Sequence, residues 1–355
     1  MADSRVFKQL KLCSFAAAAT ILAGNAWAQH YEQANLVSNL SSLAPHTDPN
    51  LVNGWGIART SASPWWVSDN GTGHATMYDG DGNRQSLVVT VPGSPTGTVF
   101  NGSGDFELAP GKPARFIFVS ENGTISGWNP DVNATNAMVV VNNPDAVFKG
   151  VAIATVGSER FLFATDFHAG RIDVFDTSFN TVANGQGFRL RKNPRGLVPF
   201  NIQNIGGNLF VTFAKQDAAR HDDVPGAGNG LVAMFTPRGK LIGVFEHVSA
   251  LNAPWGLALA PADFGLFSHH LIVGQFGSGE ILAFDIATGA FEGNLLTPEG
   301  QSIVIDGILG IGFGNGGTAG PANTLFFAAG PNSQSNGLFG RLDPVAADLI
   351  QGNGN

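Results

Sequence analysis

The chain has 355 residues, of which 43% are hydrophobic and only 13% are charged, and its formal net charge at pH 7 is −8. This acidic balance argues against nucleic acid and anionic lipid as partners, because both need a basic face. Glycine is abundant at 47 residues, and phenylalanine at 27 far outnumbers tyrosine at 2. The composition favours short strands joined by tight turns over long solvated helices.

The N-terminus has the pattern of a secretory signal peptide. Arg5, Lys8 and Lys11 precede the apolar run "LCSFAAAATILAG", and "AWAQ" then predicts cleavage after Ala28. The run is shorter than the roughly 20 apolar residues of a membrane-spanning helix, so we expect no stable membrane insertion after cleavage. The sequence therefore predicts a signal peptide over 1–28 and an exported protein, periplasmic or extracellular.

Cleavage at this point changes the chemistry of the chain. The net charge becomes −10, and Cys13, the only cysteine, is removed. The mature chain then has no disulfide, no thiolate nucleophile and no cysteine metal ligand. It must hold together through its core and its topology.

A unit of about fifty residues recurs six times along the chain. Each copy has a glycine-containing strand, a very apolar strand, and a third strand that ends in an aromatic residue and a turn. The six aromatic residues are Tyr78, Trp128, Phe175, Phe235, Phe284 and Phe339. The first strands are predicted at "NGWGIA", "GDFELA", "KGVAIA", "FNIQNI", "PWGLALA" and "DGILGIGF". Fourth strands are predicted at "SLVVTV", "AMVVVN", "GFRLR", "LIGVFEH" and "FEGNLL".

Four strands per unit and six units predict an all-β, six-bladed β-propeller over residues 29–355. The last copy lacks a fourth strand, so we expect "ANLVSNL", residues 34–40, to close the ring by pairing with the last blade. Closure would remove the sheet edges that invite aggregation. Two smaller domains are the alternative, but no linker or composition break interrupts the repeat.

Several segments resemble a secreted bacterial β-propeller family known mainly as uncharacterised. They are "NGWGIA", "KQDAARHDDVPGAGNGLV", "APWGLALAPADFG", "GPANTLFFAAGPN" and "GLFG". Many members carry a C-terminal Pro-Glu-Pro sorting tail, which this sequence lacks. The resemblance brings no catalytic residues with it. More distantly, the chain is similar to NHL-repeat propellers and to gluconolactonase-like propellers, which bind a divalent metal in the channel.

Polar residues end the second strands, and in a propeller these ends converge on one mouth of the central channel. The candidate ligand or metal residues there are Asp69, Glu121, Asp166, His168, Lys215, Asp217 and Gln275. Carboxylates and amides suit calcium or another hard divalent cation. Such a metal could activate water for lactone hydrolysis, with Asp166 or Glu121 as general base. The alternative is that these residues only cap hairpin turns, since "DNG" and "ENG" are strong turn signals.

The loop "KQDAARHDDVPGAGNG", residues 215–230, is much longer than its equivalents in the other copies. Long loops on a rigid scaffold are often functional. Its charged residues Arg220, His221, Asp222 and Asp223 make it a candidate lid over the channel mouth. A solvated loop held by its own charge pairs is the alternative.

Two main functional hypotheses from different classes follow, and a third is weaker. The first is an exported binding or scaffolding module for a small molecule, glycan or protein. The second is a metal-dependent, lactonase-like hydrolase with carboxylates at the channel mouth. A polysaccharide lyase or carbohydrate binder is a third, weaker hypothesis.

Overall fold

The computed structural model describes residues 30–183, 187–191, 193 and 196–346. These residues form 27 β-strands and one short 3-10 helix, Gly265–Phe267. The strands build six small sheets around a central axis, and a separate two-stranded hairpin lies outside them. The predicted six-bladed β-propeller is therefore confirmed.

The chain enters through the last blade and then builds the others in order. Its first two strands, β1 (Tyr31–Ser38) and β2 (His46–Thr47), belong to blade 6. Blade 1 contains β3 (Gly54–Ala58), β4 (Trp65–Asp69), β5 (His74–Tyr78) and β6 (Val89–Thr90). Blade 2 begins with β7 (Pro95–Phe100), inserts the hairpin β8 (Glu107–Ala109) and β9 (Lys112–Pro113), and continues with β10 (Phe116–Ser120), β11 (Thr124–Trp128) and β12 (Met138–Asn142).

The remaining blades repeat the same antiparallel order. Blade 3 contains β13 (Phe148–Val156), β14 (Glu159–Asp166), β15 (Arg171–Phe175) and β16 (Thr181–Val182). Blade 4 contains β17 (Val198–Ile205), β18 (Asn208–Ala214), β19 (Gly230–Phe235) and β20 (Leu241–Val244). Blade 5 contains β21 (Pro254–Leu259), β22 (Leu271–Gln275), β23 (Ile281–Phe284) and β24 (Phe291–Asn294). Blade 6 contains β25 (Ile308–Phe313), β26 (Leu325–Ala329) and β27 (Leu338–Pro344), followed outward by β1 and β2.

Two strand assignments and one aromatic position predicted from the sequence are wrong. The first strand of blade 2 is β7, which carries Gly97, whereas "GDFELA" lies in and before the inserted hairpin. The fourth strand of blade 3 is β16 rather than "GFRLR". In blade 6, Leu342 and not Phe339 occupies the aromatic position, because Leu342 pairs with Leu325 as Tyr78 pairs with Trp65.

The predicted ring closure is confirmed. Strand β1 pairs antiparallel with β27, and Val37 lies opposite Phe339. The Ser38 hydroxyl donates to the Gly337 carbonyl at 2.7 Å, and the Tyr31 hydroxyl donates to Phe264 of blade 5 at 3.2 Å. The last blade is thus completed by the start of the propeller.

The hydrophobic core lies between adjacent blades. Trp66 of blade 1, for example, stacks on Phe116 of blade 2, with ring centroids 4.3 Å apart, and also contacts Trp128 at 4.7 Å. Because both faces of each sheet are covered by neighbouring blades, the second strands are apolar over most of their length. This explains the runs such as "FIFVS" and "LFFAA".

Small residues let the six inner strands approach one another around the axis. A Cβ on Gly310 would lie 2.4 Å from the Trp55 carbonyl oxygen, and one on Gly97 would lie 2.9 Å from the Val151 nitrogen. Blade 4 has Asn201 at the corresponding place, and its side chain donates to the Trp255 carbonyl at 2.7 Å. These contacts join each inner strand to the next and make the channel narrow.

Candidate functional site

An aromatic plug closes the channel near the end where the inner strands begin. Trp55, Phe200 and Trp255 come from blades 1, 4 and 5, and all three are buried. Trp55 makes edge contacts with Trp255 at 5.7 Å and with Phe200 at 6.3 Å between ring centroids. Since these contacts cross the axis, this end of the channel is not an open passage.

Lys149 lies in this plug and is 1% exposed. Its ammonium lies 5.0 Å from the Trp55 ring centroid and 5.9 Å from that of Phe167, which are cation–π distances. It forms ion pairs with Glu121 and, at 3.3 Å, with Asp222. A buried lysine needs such partners, because an unpaired charge in the interior is very costly.

A belt of hydrogen bonds extends from Lys149 around the mouth. The Asn70 amide donates to Glu121 at 2.9 Å, and the Asn53 amide donates to Asn70 at 3.0 Å and to Gln334 of blade 6 at 3.4 Å. Together with Lys149 and Asp222, these residues connect blades 6, 1, 2, 3 and 4. The belt therefore fixes the blades relative to one another at this end.

The 215–230 loop folds over the neighbouring turn of blade 3. The Gln216 side chain donates to the Phe167 carbonyl, and also to that of His168 at 3.1 Å. Asp217 accepts the His221 backbone N–H at 2.9 Å, which closes the loop on itself. Further along, the Gly226 N–H donates to Asn252 of the blade 5 entry at 2.6 Å.

Asp223 is the most perturbed carboxyl of this loop. One of its oxygens is buried and has no hydrogen-bond partner among the described residues. Burial raises its pKa to about 7, while the nearby Lys149 charge opposes that rise. Asp222, which is paired with Lys149, has a lowered pKa in spite of its partial burial.

The structure brings together only part of the predicted site. Glu121 and Asp222 pair with Lys149, His221 lies 3.1 Å from Asp222, and Asp217 and Asp223 lie in the same loop. Lys215 and Arg220 are exposed in that loop. Gln275 is buried in blade 5, where its side chain accepts the Asn252 N–H at 2.9 Å.

Asp69 and Asp166 have other surroundings. Asp69 is fully buried near Asp48, neither of its oxygens has a well-formed hydrogen bond to a described residue, and burial raises its pKa well above the ordinary value. Asp166 accepts the backbone N–H groups of Ala169 at 3.1 Å and of Val147 at 3.3 Å. These bonds cap the turn, and its other carboxylate oxygen lies 3.6 Å from Arg171 Nη2. His168, half-buried on the same turn, contributes its carbonyl to Gln216.

The converging residues fit a metal poorly. Ligand atoms of Glu121, His221 and Asp222 lie within 4.8 Å of one another, as a metal centre would require. However, the Lys149 ammonium already contacts both carboxylates, and a divalent cation there would lie beside a buried positive charge. The positive charge of Lys149 already neutralises these carboxylates, so the cluster does not support metal-dependent chemistry.

The opposite mouth is open and was not predicted from the sequence. The ends of the inner strands of blades 1, 2, 4, 5 and 6 enclose a funnel of about 420 Å³, within the usual size range of small-molecule pockets. Most of its lining side chains are apolar, including Ile57, Phe100, Leu257, Ile311 and Phe313, while polar atoms make up about half of its accessible surface. Arg59, Thr98 and Gln203 are its polar side chains. A narrow cavity of about 30 Å³ continues inward from it, lined by all six inner strands.

This architecture places the chain in the class of six-bladed β-propellers. A solved streptogramin B lyase structure is similar, with a TM-score of 0.51 and 13% sequence identity over 89% of this chain and 98% of that chain. At this identity the similarity extends to the fold alone.

Two relatives with similar sequences define the family of this chain. No family model matches the chain. Uncharacterized protein L690 of Acanthamoeba polyphaga mimivirus is 33% identical over 333 residues, covering 86% of this chain and 84% of the relative. Uncharacterized protein R648 of the same virus is 32% identical over 328 residues, covering 86% and 78%. The chain belongs to the family of these two proteins.

These relatives agree with only part of the resemblance to a secreted bacterial family. The propeller fold is as the resemblance implies, but both relatives are viral, so a bacterial origin is not supported. The predicted signal peptide, residues 1–28, lies outside the described residues. Within the described ranges, no helix is long and apolar enough to cross a bilayer.

Proposed function

We propose that this protein is a binding module that holds a small, largely apolar ligand in the open funnel. The observation that carries the proposal is the contrast between the two mouths of the channel. One mouth is closed by an aromatic plug and a hydrogen-bonded belt, whereas the other is a 420 Å³ funnel in which apolar side chains alternate with polar surface. Rigid walls from five blades suit a preformed ligand pocket.

Binding of a neutral fluorescent probe, N-phenyl-1-naphthylamine, tests this proposal. Leu259 lines the funnel and is 41% exposed, so Leu259→Asp places a charge in the apolar wall without filling a buried core position. We expect at least about a tenfold loss of affinity, since one unpaired polar group in an apolar site costs about 1–3 kcal/mol. Ile242→Asp, at an outer-strand residue that is 46% exposed, is the matched control and should bind as the wild type does. Equal binding by both variants would place the ligand elsewhere.

The metal-dependent hydrolase is the second candidate, and the cluster of Glu121, His221 and Asp222 is what favours it. Elemental analysis of protein purified without chelator separates the two functions. We expect no stoichiometric divalent metal and no lactone turnover. Turnover that is lost in Asp222→Asn, a substitution at a side chain that is 64% exposed, would overturn the non-catalytic proposal.

We propose that the protein acts after export. The basic N-terminus, the apolar run and the "AWAQ" segment support this proposal. Expression of the full chain in a secreting host, followed by mass determination, tests it. A mature N-terminus at Gln29 supports export, and an intact Met1 in the mature protein contradicts it.

A further inference from the structure

Arg59 is the one charged side chain among the residues that line the funnel. It follows β3 and reaches across to blade 6. Its Nε donates to the Phe313 carbonyl at 2.7 Å, and its Nη2 donates to the Gly314 carbonyl at 2.9 Å. Nη1 donates to the Thr60 carbonyl at 3.3 Å. These bonds hold the guanidinium in a fixed position at the funnel wall.

The charge of Arg59 is not neutralised within the described part of the chain. All three acceptors are neutral carbonyls, and no described carboxylate lies within ion-pair distance. The guanidinium lies over the Trp65 ring, 5.4 Å from its centroid, and burial lowers its pKa with no acidic neighbour to oppose the effect. A guanidinium has five N–H groups, so two remain to bind an acceptor.

We propose that the funnel binds an apolar molecule carrying a single carboxylate, with that carboxylate on Arg59. The inference rests on the proposed function and names its ligand class. Charge-assisted bonds from a fixed guanidinium to a carboxylate are among the stronger hydrogen bonds in proteins. The apolar tail lies against Ile57, Leu257 and Ile311, where it is removed from water.

A single negative charge fits better than a double one. Only one cation lines the funnel, and the chain as a whole carries a formal net charge of −8. A dianionic head group such as a phosphate monoester would gain one partner and meet more repulsion. The same electrostatics disfavour a cationic amphiphile, because its head group would face Arg59.

Competition against N-phenyl-1-naphthylamine tests the ligand class with four ten-carbon probes: decanoate, decanol, decylamine and decyl phosphate. In the wild type, decanoate should bind at least about tenfold more tightly than decanol, as expected for hydrogen bonds to a charged group. Its advantage should shrink as salt rises. Decylamine and decyl phosphate should both bind less tightly than decanoate.

Substitution of the arginine assigns the effect to this residue. Arg59→Gln should remove the preference for decanoate while decanol binds as before, and Arg59→Lys should retain part of it. Arg160→Gln, at an exposed arginine paired with Asp105, is the control and should behave as the wild type does. If Arg59→Gln does not fold, the Lys variant alone decides, and a decanoate preference that is unchanged in it overturns the assignment of the carboxylate to Arg59.

The outcomes separate the two proposals. Equal binding of decanoate and decanol, or a preference unchanged in both Arg59 variants, overturns the carboxylate assignment but leaves an apolar pocket. Failure of every probe to bind overturns the proposed function itself. A preference for decyl phosphate would replace the single carboxylate with a phosphate ligand.

Discussion

The ammonium of Lys149 lies 5.0 Å from the centre of the Trp55 ring and thereby links blade 3 to blade 1 across the axis. The same ammonium pairs with Glu121 of blade 2 and with Asp222 of the 215–230 loop from blade 4. One side chain therefore joins four blades at the plugged mouth. Its contacts explain why a lysine is accommodated at a position that blades 1 and 5 fill with tryptophan.

Removing Lys149 should destabilise the ring strongly. Lys149→Ala leaves Glu121 and Asp222 without their cation, and breaking a buried ion pair costs about 3–5 kcal/mol. We expect a loss near the lower end of this range, because the Asp222 side chain is exposed. Urea unfolding measures the effect, with Lys215→Ala as an exposed control that should change stability by less than about 0.5 kcal/mol. Lys149→Met combined with Glu121→Gln should recover much of the loss, and no recovery would contradict the charge-pair explanation.

Stability should fall as pH rises from about 4 to about 7, in part because of Asp223. Its pKa is about 7 in the folded chain against 3.8 in an ordinary aspartate, so the folded state holds a proton that the unfolded state has released. More protons bound to the folded state means that raising pH favours unfolding. Asp223→Asn should therefore flatten the decline in unfolding free energy across this interval. Lys215→Gln alters the same loop but keeps the carboxyl, so it should leave the decline in place.

The narrow approach of the inner strands should not tolerate a methyl group. Gly310→Ala would place a Cβ 2.4 Å from the Trp55 carbonyl oxygen, which is backbone and cannot move aside without shifting a strand. Overpacking of this kind costs about 1–3 kcal/mol. Gly104→Ala is the matched control, since nothing lies within 4 Å of a Cβ there. Thermal unfolding should show a lower Tm only for the first variant, and equal Tm values would refute the proposed close approach.

Closure through β1 should be essential for stability. Val37 is 1% exposed and pairs with Phe339, so Val37→Asp would bury an unpaired charge at the seam of the ring. We expect this variant to be mostly unfolded or aggregated in size-exclusion chromatography, because an open blade 6 exposes the β27 edge. Glu32→Lys changes the charge of an exposed residue of the same strand and should elute as the wild type does. A monomeric, cooperatively folded Val37→Asp protein would show that closure is dispensable.

The fold could be predicted because each repeat has the same local pattern of apolar, aromatic and glycine residues. Apolar second strands, aromatic ends of third strands and glycines in first strands each follow from packing between blades. The misplaced first strand of blade 2 shows the limit of this reasoning. Both "PTGTVF" and "GDFELA" carry a glycine, and only Gly97 lies in the ring of inner strands, where it abuts blade 3.

The site could be predicted only in part, since its contacts join residues far apart in the chain. Turn hydrogen bonds account for the position of Asp166, whose carboxylate accepts the Ala169 N–H at 3.1 Å. Lys149 was missed although a signal existed: it precedes the inner-strand glycine, a place that Trp55 and Trp255 take in other blades. The position of Arg59 in the funnel could not be predicted from the sequence, because the apolar residues around it come from other blades.

The pairing of β1 with β27 also has a consequence for synthesis. The partner strand Leu338–Pro344 is translated about 300 residues after Tyr31–Ser38, so β1 leaves the ribosome long before it can pair. Contacts of such high sequence separation form slowly, and the waiting segment has an exposed strand edge meanwhile. A nascent chain that stops short of β27 cannot close its ring. A truncated product therefore keeps an unpaired strand edge, which favours aggregation over a stable partial propeller.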